Sequence, residues 1–247
     1  MRYLILADIH SNLEALEACL RDAATRAYDK VLVLGDVVGY GANPNEVVTR
    51  IRALEPMAIV RGNHDKIALG LEQAMGFHAA ARAAAQWTFD TLTPEHRKWL
   101  AALPMGPLAV DEFVEICHGS PVDEDTYIFD ELDALNGLQA ATRPVCFYGH
   151  THFAIAFRLA DGHFAALGPE SGGSRTLEVG DGARYLVNPG SVGQPRDGDP
   201  RAAYAIVDTV RKRVELNRLT YAVATTQEKV LKAGLPAALA KRLSAGR

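Results

Sequence analysis

Cysteine is scarce in this 247-residue chain: there are three, an odd number. Cys19, Cys117 and Cys146 each sit among apolar neighbours and outside any metal-ligand or redox spacing, so they read as buried reduced thiols, and a disulfide scaffold or thiolate cluster is excluded. A dense basic stripe is also missing. Lys+Arg number 26 against 30 Asp+Glu, a net charge of −4, which excludes a chain that holds nucleic acid mainly by counterion release and leaves a nucleotide-sized substrate open. No long apolar run opens the chain, because Asp8 interrupts Tyr3 to Ala7 after a stretch too short for a signal peptide or a membrane span. A cytoplasmic protein without membrane contact is expected. What is present is ordinary for a folded domain, with 48% hydrophobic and 23% charged residues, so disorder and collagen are excluded and the length permits a large core.

The first half repeats a short apolar run, a polar cluster and a helical stretch. Tyr3 to Ala7 leads into Asp8-Ile9-His10-Ser11-Asn12, where Ser11 and Glu14 have the spacing of a capping box before the Leu13, Leu16, Leu20 stripe. Val31 to Leu34 leads into Gly35-Asp36, and Asn43-Pro44 with Glu46 predicts a second helix to about Leu54. Met57 to Val60 leads into Gly62-Asn63-His64-Asp65, followed by helix to about Ala102 with a restart at Thr93-Pro94-Glu95. Strands then dominate. Phe113 to Cys117 precedes His118, and Val145 to Tyr148 precedes Gly149-His150-Thr151-His152. Phe153 to Leu159 and His163 to Leu167 flank Asp161-Gly162 as a hairpin, and Ala202 to Asp208 with Arg213 to Leu219 reads as a closing antiparallel pair. Residues 168–182 are the one candidate for disorder. A helical tail over about 225–245, broken at Gly234-Leu235-Pro236, completes a single domain spanning 1–247. Helices between early strands and hairpins later predict an α/β fold with two facing sheets and helices outside.

Each of five polar clusters follows an apolar run and therefore belongs at the carboxyl end of a strand, the edge where α/β sheets bind ligands. They deliver Asp8, His10, Asp36, Asn63, His118, His150 and His152. Seven oxygen and nitrogen donors without a thiolate exceed one tetrahedral zinc and suit two borderline first-row ions, with Asp36 as the bridge. A water held between cations about 3.5–4 Å apart loses a proton near neutral pH and becomes a nucleophile toward phosphorus. His64, next to Asn63, would then point past the ions to protonate a leaving oxygen or stabilise transition-state charge, with Asp65 fixing its tautomer. Gly-Asn-His-Asp would arise about 0.001 times in a shuffled chain of this composition, so the constellation is specific even though a lone Asp-x-His is not.

At these residues the sequence resembles the calcineurin-like metallophosphoesterases, in particular a small prokaryotic phosphodiesterase-like branch. The motifs are Asp8-Ile9-His10, Gly35-Asp36-Val37-Val38-Gly39, Gly62-Asn63-His64-Asp65, His118, Gly149-His150-Thr151-His152 and the loop Asn188 to Arg196. Ser11 stands where many relatives have glycine. The resemblance implies a four-layer α-β-β-α sandwich of two mixed sheets. Asp8, His10, Asp36 and His152 would surround one ion, Asp36, Asn63, His118 and His150 the other, and His64 would take the catalytic position. Manganese, iron, zinc or magnesium could fill the sites and the resemblance does not choose among them; manganese is the favoured expectation.

Arg196 is a candidate phosphate clamp and Asn12 a candidate substrate contact, each weighed against a solvated loop arginine and a helix-start residue. His78, His96 and His163 lie outside the clusters and read as structural, and the Ala79 to Ala85 stretch reads as a packed helix. The reaction expected is hydrolysis of a small phosphoester or nucleotide, diesters before monoesters, without a stable nucleic-acid partner and with a homo-oligomer possible. Dinucleoside polyphosphates or phosphoproteins are alternative substrates, chosen by loops around 75–85 and 168–194. The alternative of another class is a non-catalytic interaction scaffold, as in the retromer subunit of similar fold that lacks the catalytic histidine.

Overall fold

The computed structural model describes residues 1–74, 76–169 and 173–247; Met75 and residues 170–172, within two loops expected to shape substrate choice, lie outside the described residues. The chain opens with β1 (Arg2–Leu6), apolar on both faces: Leu4 and Leu6 enter one core, Tyr3 and Ile5 another. That alternation marks a central strand covered on both sides. β1 pairs in parallel with β2 (Lys30–Val33), which pairs in parallel with β3 (Ala58–Ile59). On its other edge β1 meets β11 (Ala202–Asp208) antiparallel, followed by β12 (Arg213–Leu219) and β9 (Arg175–Glu178), which gives the order β3-β2-β1-β11-β12-β9. The second sheet has the order β4-β5-β6-β10-β7-β8. Its strands are β4 (Leu108–Ala109), β5 (Val114–Ile116), β6 (Val145–Phe147), β7 (Ala154–Ala160), β8 (His163–Leu167) and β10 (Arg184–Pro189).

Three apolar clusters fill the spaces between four layers. Leu4, Leu6, Val31, Val33, Tyr204 and Ile206 pack under α1 (Leu13–Arg26) and α2 (Pro44–Ala53), where Leu16, Cys19, Val48 and Ile51 are buried. Tyr3, Ile5, Leu32 and Val207 on the opposite face meet Ile116, Val145, Phe147 and Val187, so the two sheets bury each other. Cys146, Tyr148 and Leu186 then pack beneath α6 (Glu131–Ala140) through Ala134 and Leu138. This is the expected four-layer sandwich. The remaining helices are α3 (Asn63–Ala68), α4 (Ala79–Thr91), α5 (Pro94–Ala101), α7 (Val223–Lys232) and α8 (Ala237–Ala245).

Local chemistry accounts for most boundaries. Asp161 and Gly162, with φ of 50° and 74°, form the tight turn between β7 and β8 that the dipeptide predicts. The tail is helical where expected and breaks at Gly234, whose φ is 73°. Asn43 precedes α2 as predicted, but its side chain makes no capping bond. Two further expectations need correction. Asn12, not Ser11, caps α1: its Oδ1 accepts from Ala15 N at 3.1 Å, while Ser11 has a left-handed backbone with φ 53°. Residues 131–140 form α6, in a region where the sequence pattern predicts only strands; Asp130 caps it by accepting from Asp133 N at 2.9 Å. The thiols of Cys117 and Cys146, unrelated in sequence, lie 3.8 Å apart, and all three cysteines are free and buried.

Candidate metal centre

The carboxyl ends of β1, β2 and β3 in one sheet and of β5 and β6 in the other face the same cleft edge, and each carries one of the five motifs. After β1 the chain turns so sharply that Asp8 and His10 have φ of 52° and 49°; Asp36, His150 and His152 are likewise left-handed at 50°, 67° and 61°. Asp and His tolerate this region better than most residues, and repeated strain at one place marks a functional edge. The turns brace one another: His10 N donates to Asp36 O at 2.9 Å, and His150 N donates to both Asp8 carboxylate oxygens, at 2.9 and 3.2 Å. Gly62 is required by close approach, since a Cβ there would lie 2.1 Å from Asp36 Oδ1.

The side chains expected as ligands form two groups that share Asp36. Asp8, His10, Asp36 and His152 offer donor atoms all within 4.8 Å of one another, and so do Asp36, His118 and His150. The imidazole tautomers are fixed from behind. Nδ1 of His10, His118 and His152 donates to the carbonyls of Val38, Leu34 and Gln194 at 3.2, 2.8 and 2.6 Å, which leaves each Nε2 with a lone pair aimed inward. Nε2 of His10 and His152 then face each other at 3.1 Å, and Nε2 of His118 faces Asn63 Oδ1 at 3.2 Å. Two acceptors at such distances suit a cation that both could ligate. His150 differs, because its Nε2 donates to Asp125 O at 3.1 Å and its Nδ1 is the free donor atom. Asp36 Oδ1 accepts from His64 N at 2.9 Å, while Oδ2 is buried without a partner, 3.4 Å from His10 Nε2 and 3.6 Å from His118 Nε2. The donor set therefore fits two divalent ions about a shared carboxylate.

Electrostatics agree with that fit. Burial pushes the Asp8 carboxyl up to about 7 and raises Asp36 well above the carboxylate range, with Asp65 adding to the latter. Burial holds His10, His150 and His152 well below the usual imidazole value, and the Arg196 charge adds to this for all three. Neutral imidazoles and carboxyls short of a counter-charge suit a cation.

The other predicted residues fall into place less uniformly. His64 sits beside the centre with Nδ1 buried and unpartnered, its ring 4.8 Å from His10, 4.3 Å from Tyr40 and 4.4 Å from Phe77. Asp65 does not hold the His64 tautomer: its two oxygens accept from Val38 N and Gly62 N at 3.1 and 3.0 Å and fasten two motif loops together. Asn12 is not offered to substrate either. Besides capping α1 it donates to Gly193 O at 2.9 Å, and it is 1% exposed. Arg196 does reach the site rim, with Nη2 3.3 Å from Tyr40 Oη and 3.2 Å from Gln194 Oε1. His78 caps α4, His96 bonds Asn45 at 2.8 Å, and His163 bonds Asp161 O at 3.0 Å, so all three are structural. Sequence reasoning missed Tyr40, Tyr127 and Arg242. Tyr127 stacks on His150 with ring centroids 3.7 Å apart and carries the 72% exposed Phe129 beyond it. No local motif marks these residues; only Tyr40, just after Gly35-Asp36-Val37-Val38-Gly39, lies close enough to a motif to be found from sequence.

This fold and donor set define a class, and comparison with known proteins agrees. The profile of the calcineurin-like phosphoesterase superfamily domain matches residues 1–212, so the chain belongs to that superfamily and is a metal-dependent phosphoesterase. A crystal structure of a metallophosphoesterase from Sphaerobacter thermophilus is 41% identical, with each chain covered in full and a TM-score of 0.88. An uncharacterized protein of Methanocaldococcus jannaschii is 36% identical over 98% of this chain and 97% of its own. A hypothetical protein from Pyrococcus horikoshii OT3, 20% identical, shares the fold with a TM-score of 0.81 over 100% of this chain and 98% of its own.

Proposed function

We propose that the chain hydrolyses phosphodiesters with two divalent ions, manganese first, held by Asp8, His10, Asp36 and His152 on one side and by Asp36, Asn63, His118 and His150 on the other. The observation that carries this reading is the pair of inward-facing acceptor contacts, His10 with His152 and His118 with Asn63. When bound, the ions acidify water and neutralise phosphoryl charge. The chain's own groups do the rest. Carbonyls of Val38, Leu34 and Gln194 accept from Nδ1–H of three imidazoles and so turn each Nε2 toward the centre. His64 is held neutral by burial, with the Arg196 charge adding to it, so at neutral pH it carries one N–H with which to stabilise the leaving oxygen. Diesters are favoured because the motifs resemble a phosphodiesterase-like branch.

The whole chain acts as one domain in this reading, with α7 and α8 packed on Tyr40 and α4. Among the described residues no helix is long and apolar enough to cross a membrane, and three free cysteines suit a reducing cytoplasm. The test is an assay on an activated aryl phosphodiester after metal removal and again after adding Mn²⁺. Activity should be absent in the first state and restored in the second, and Asn63→Ala and His64→Ala should each cut the recovered activity by about 100-fold or more. Turnover unaffected by stripping or by both substitutions would refute the proposal.

A further inference from the structure

Two arginines lie against Tyr40 with no acidic side chain paired to either. The guanidinium carbons of Arg196, in the loop after β10, and Arg242, on α8, each lie 5.7 Å from the Tyr40 ring centroid. That ring is in turn 4.8 Å from the His10 ring and 4.3 Å from the His64 ring, so the pair stands one aromatic ring away from the candidate centre. Several part-buried arginines have carboxylates, Arg61 with Glu124 at 2.8 Å, Arg201 with Asp199 at 2.6 Å and Arg218 with Asp197, while Arg97 and Arg143 donate to the carbonyls of Leu92 and Asp111. Among the described residues no Asp or Glu side chain lies within ion-pair distance of Arg196 or Arg242. Arg196 Nε is buried with no acceptor, and Arg242 Nε donates to the main-chain oxygen of Arg247.

The fold holds Arg242 in this costly position. Leu239 and Leu243 on either side of it along α8 are buried, and Gly198 N donates to Gly246 O at 2.9 Å, tying the end of α8 to the loop that carries Arg196. Burial, and then the charge of Arg196, pull the Arg242 guanidinium below its ordinary range. The same field reaches His78, lowered by burial and then by Arg242 and Arg196. Cation–π contact with Tyr40 steadies the two side chains but neutralises neither. An oxyanion between them would do so, through charge-assisted and bidentate hydrogen bonds.

We infer that Arg242 and Arg196 together bind a second phosphoryl group of the substrate, additional to the one being cleaved, so that the preferred diester carries linked phosphates in one of its arms. This rests on the hydrolase reading for the position of the scissile group, but the binding claim stands without turnover. The test is calorimetric titration of the full chain with inorganic pyrophosphate and with orthophosphate, comparing wild type, Arg242→Gln and Arg242→Lys. Arg242→Gln should weaken pyrophosphate about tenfold or more, the loss expected of a charge-assisted hydrogen bond, and orthophosphate by less than about threefold. Arg242→Lys should recover part of the loss. On esters, Arg242→Gln should raise KM for a nucleoside polyphosphate diester more than for an aryl diester, with kcat changed less than KM. If the glutamine variant does not fold, pyrophosphate should still protect Arg242 of the wild type from phenylglyoxal, read by peptide mass. Equal losses for the two anions, an unchanged pyrophosphate affinity, or no protection would overturn the inference. Pyrophosphate binding through Arg242 in a chain that hydrolyses nothing would instead defeat the hydrolase reading alone.

Discussion

The motif edge and the C-terminal clasp are built on opposite principles. At the ends of β1, β2, β3, β5 and β6, acceptors face acceptors: Nε2 of His10 and His152 are 3.1 Å apart, and Asp36 Oδ2 has no partner. In the clasp formed by α7 and α8, polar groups are matched. Lys229 Nζ donates to Glu14 and Asn43, Thr226 Oγ1 donates to Asn12 at 3.2 Å, and Leu235 and Leu239 are buried against Tyr40 and Ala84. The first region is left incomplete for a ligand to finish, and the second holds itself together. Arg196 and Arg242 are the exceptions that carry the unfinished chemistry into the clasp.

Substitutions should therefore separate the two regions by what they damage. Asp36→Ala removes the shared carboxylate and should drop activity to the metal-free background, while the metal-free melting temperature holds or rises because a buried carboxyl without a counter-charge is gone. His64→Ala should lower kcat by about 10²–10⁴ with metal content unchanged. Leu239→Ala, in the clasp, should do the reverse, costing about 2–5 kcal/mol of stability in denaturant titration while metal content stays at the wild-type level. Lys229→Ala removes a partly exposed ion pair and should cost no more than about 1 kcal/mol. A clasp substitution that emptied the centre, or an edge substitution that only destabilised the chain, would break the contrast.

A pH experiment sharpens it further. In the metal-free chain Asp8 is raised to about 7, so it is largely protonated at pH 6 and must release its proton when an ion binds. The release should fade as pH rises through 7. His10, His150 and His152 are held below the ordinary imidazole value, are already neutral, and contribute little. Calorimetry of Mn²⁺ binding in buffers of different ionisation enthalpy should show proton release growing from pH 8 to pH 6. Release that shrank over that interval would show the carboxyls to be ionised before the metal arrives.

How much the sequence reveals follows the same division. The motif edge was legible because each donor directly follows an apolar strand, and a parallel strand fixes where its end lies. The left-handed backbones of Asp8, His10, Asp36, His150 and His152 were not, since neither residue type nor spacing encodes them alone. Ser11 and Asn12 are both competent caps, and the turn that places His10 on Asp36 puts Ser11 at φ 53° and leaves the cap to Asn12. Asp65 adjoins His64 in sequence yet bonds the backbone of Val38 and Gly62, a reminder that neighbours on a helix turn need not meet. α6 was hidden by Gly137, which weakens the helical pattern but gives Leu186 room: a Cβ there would lie 2.9 Å from Leu186 Cδ2. Arg242 meets Tyr40 only through the packing of α8, so nothing local points to it.

The central claim is that inward-facing donors on two sheets hold two ions around Asp36. It is tested most directly by counting metal in chains equilibrated with Mn²⁺ and then freed of excess by gel filtration. The account predicts about two ions per wild-type chain and about none in Asp36→Ala, because both groups lose their common ligand. One ion or fewer in the wild type, or two retained without Asp36, would contradict it.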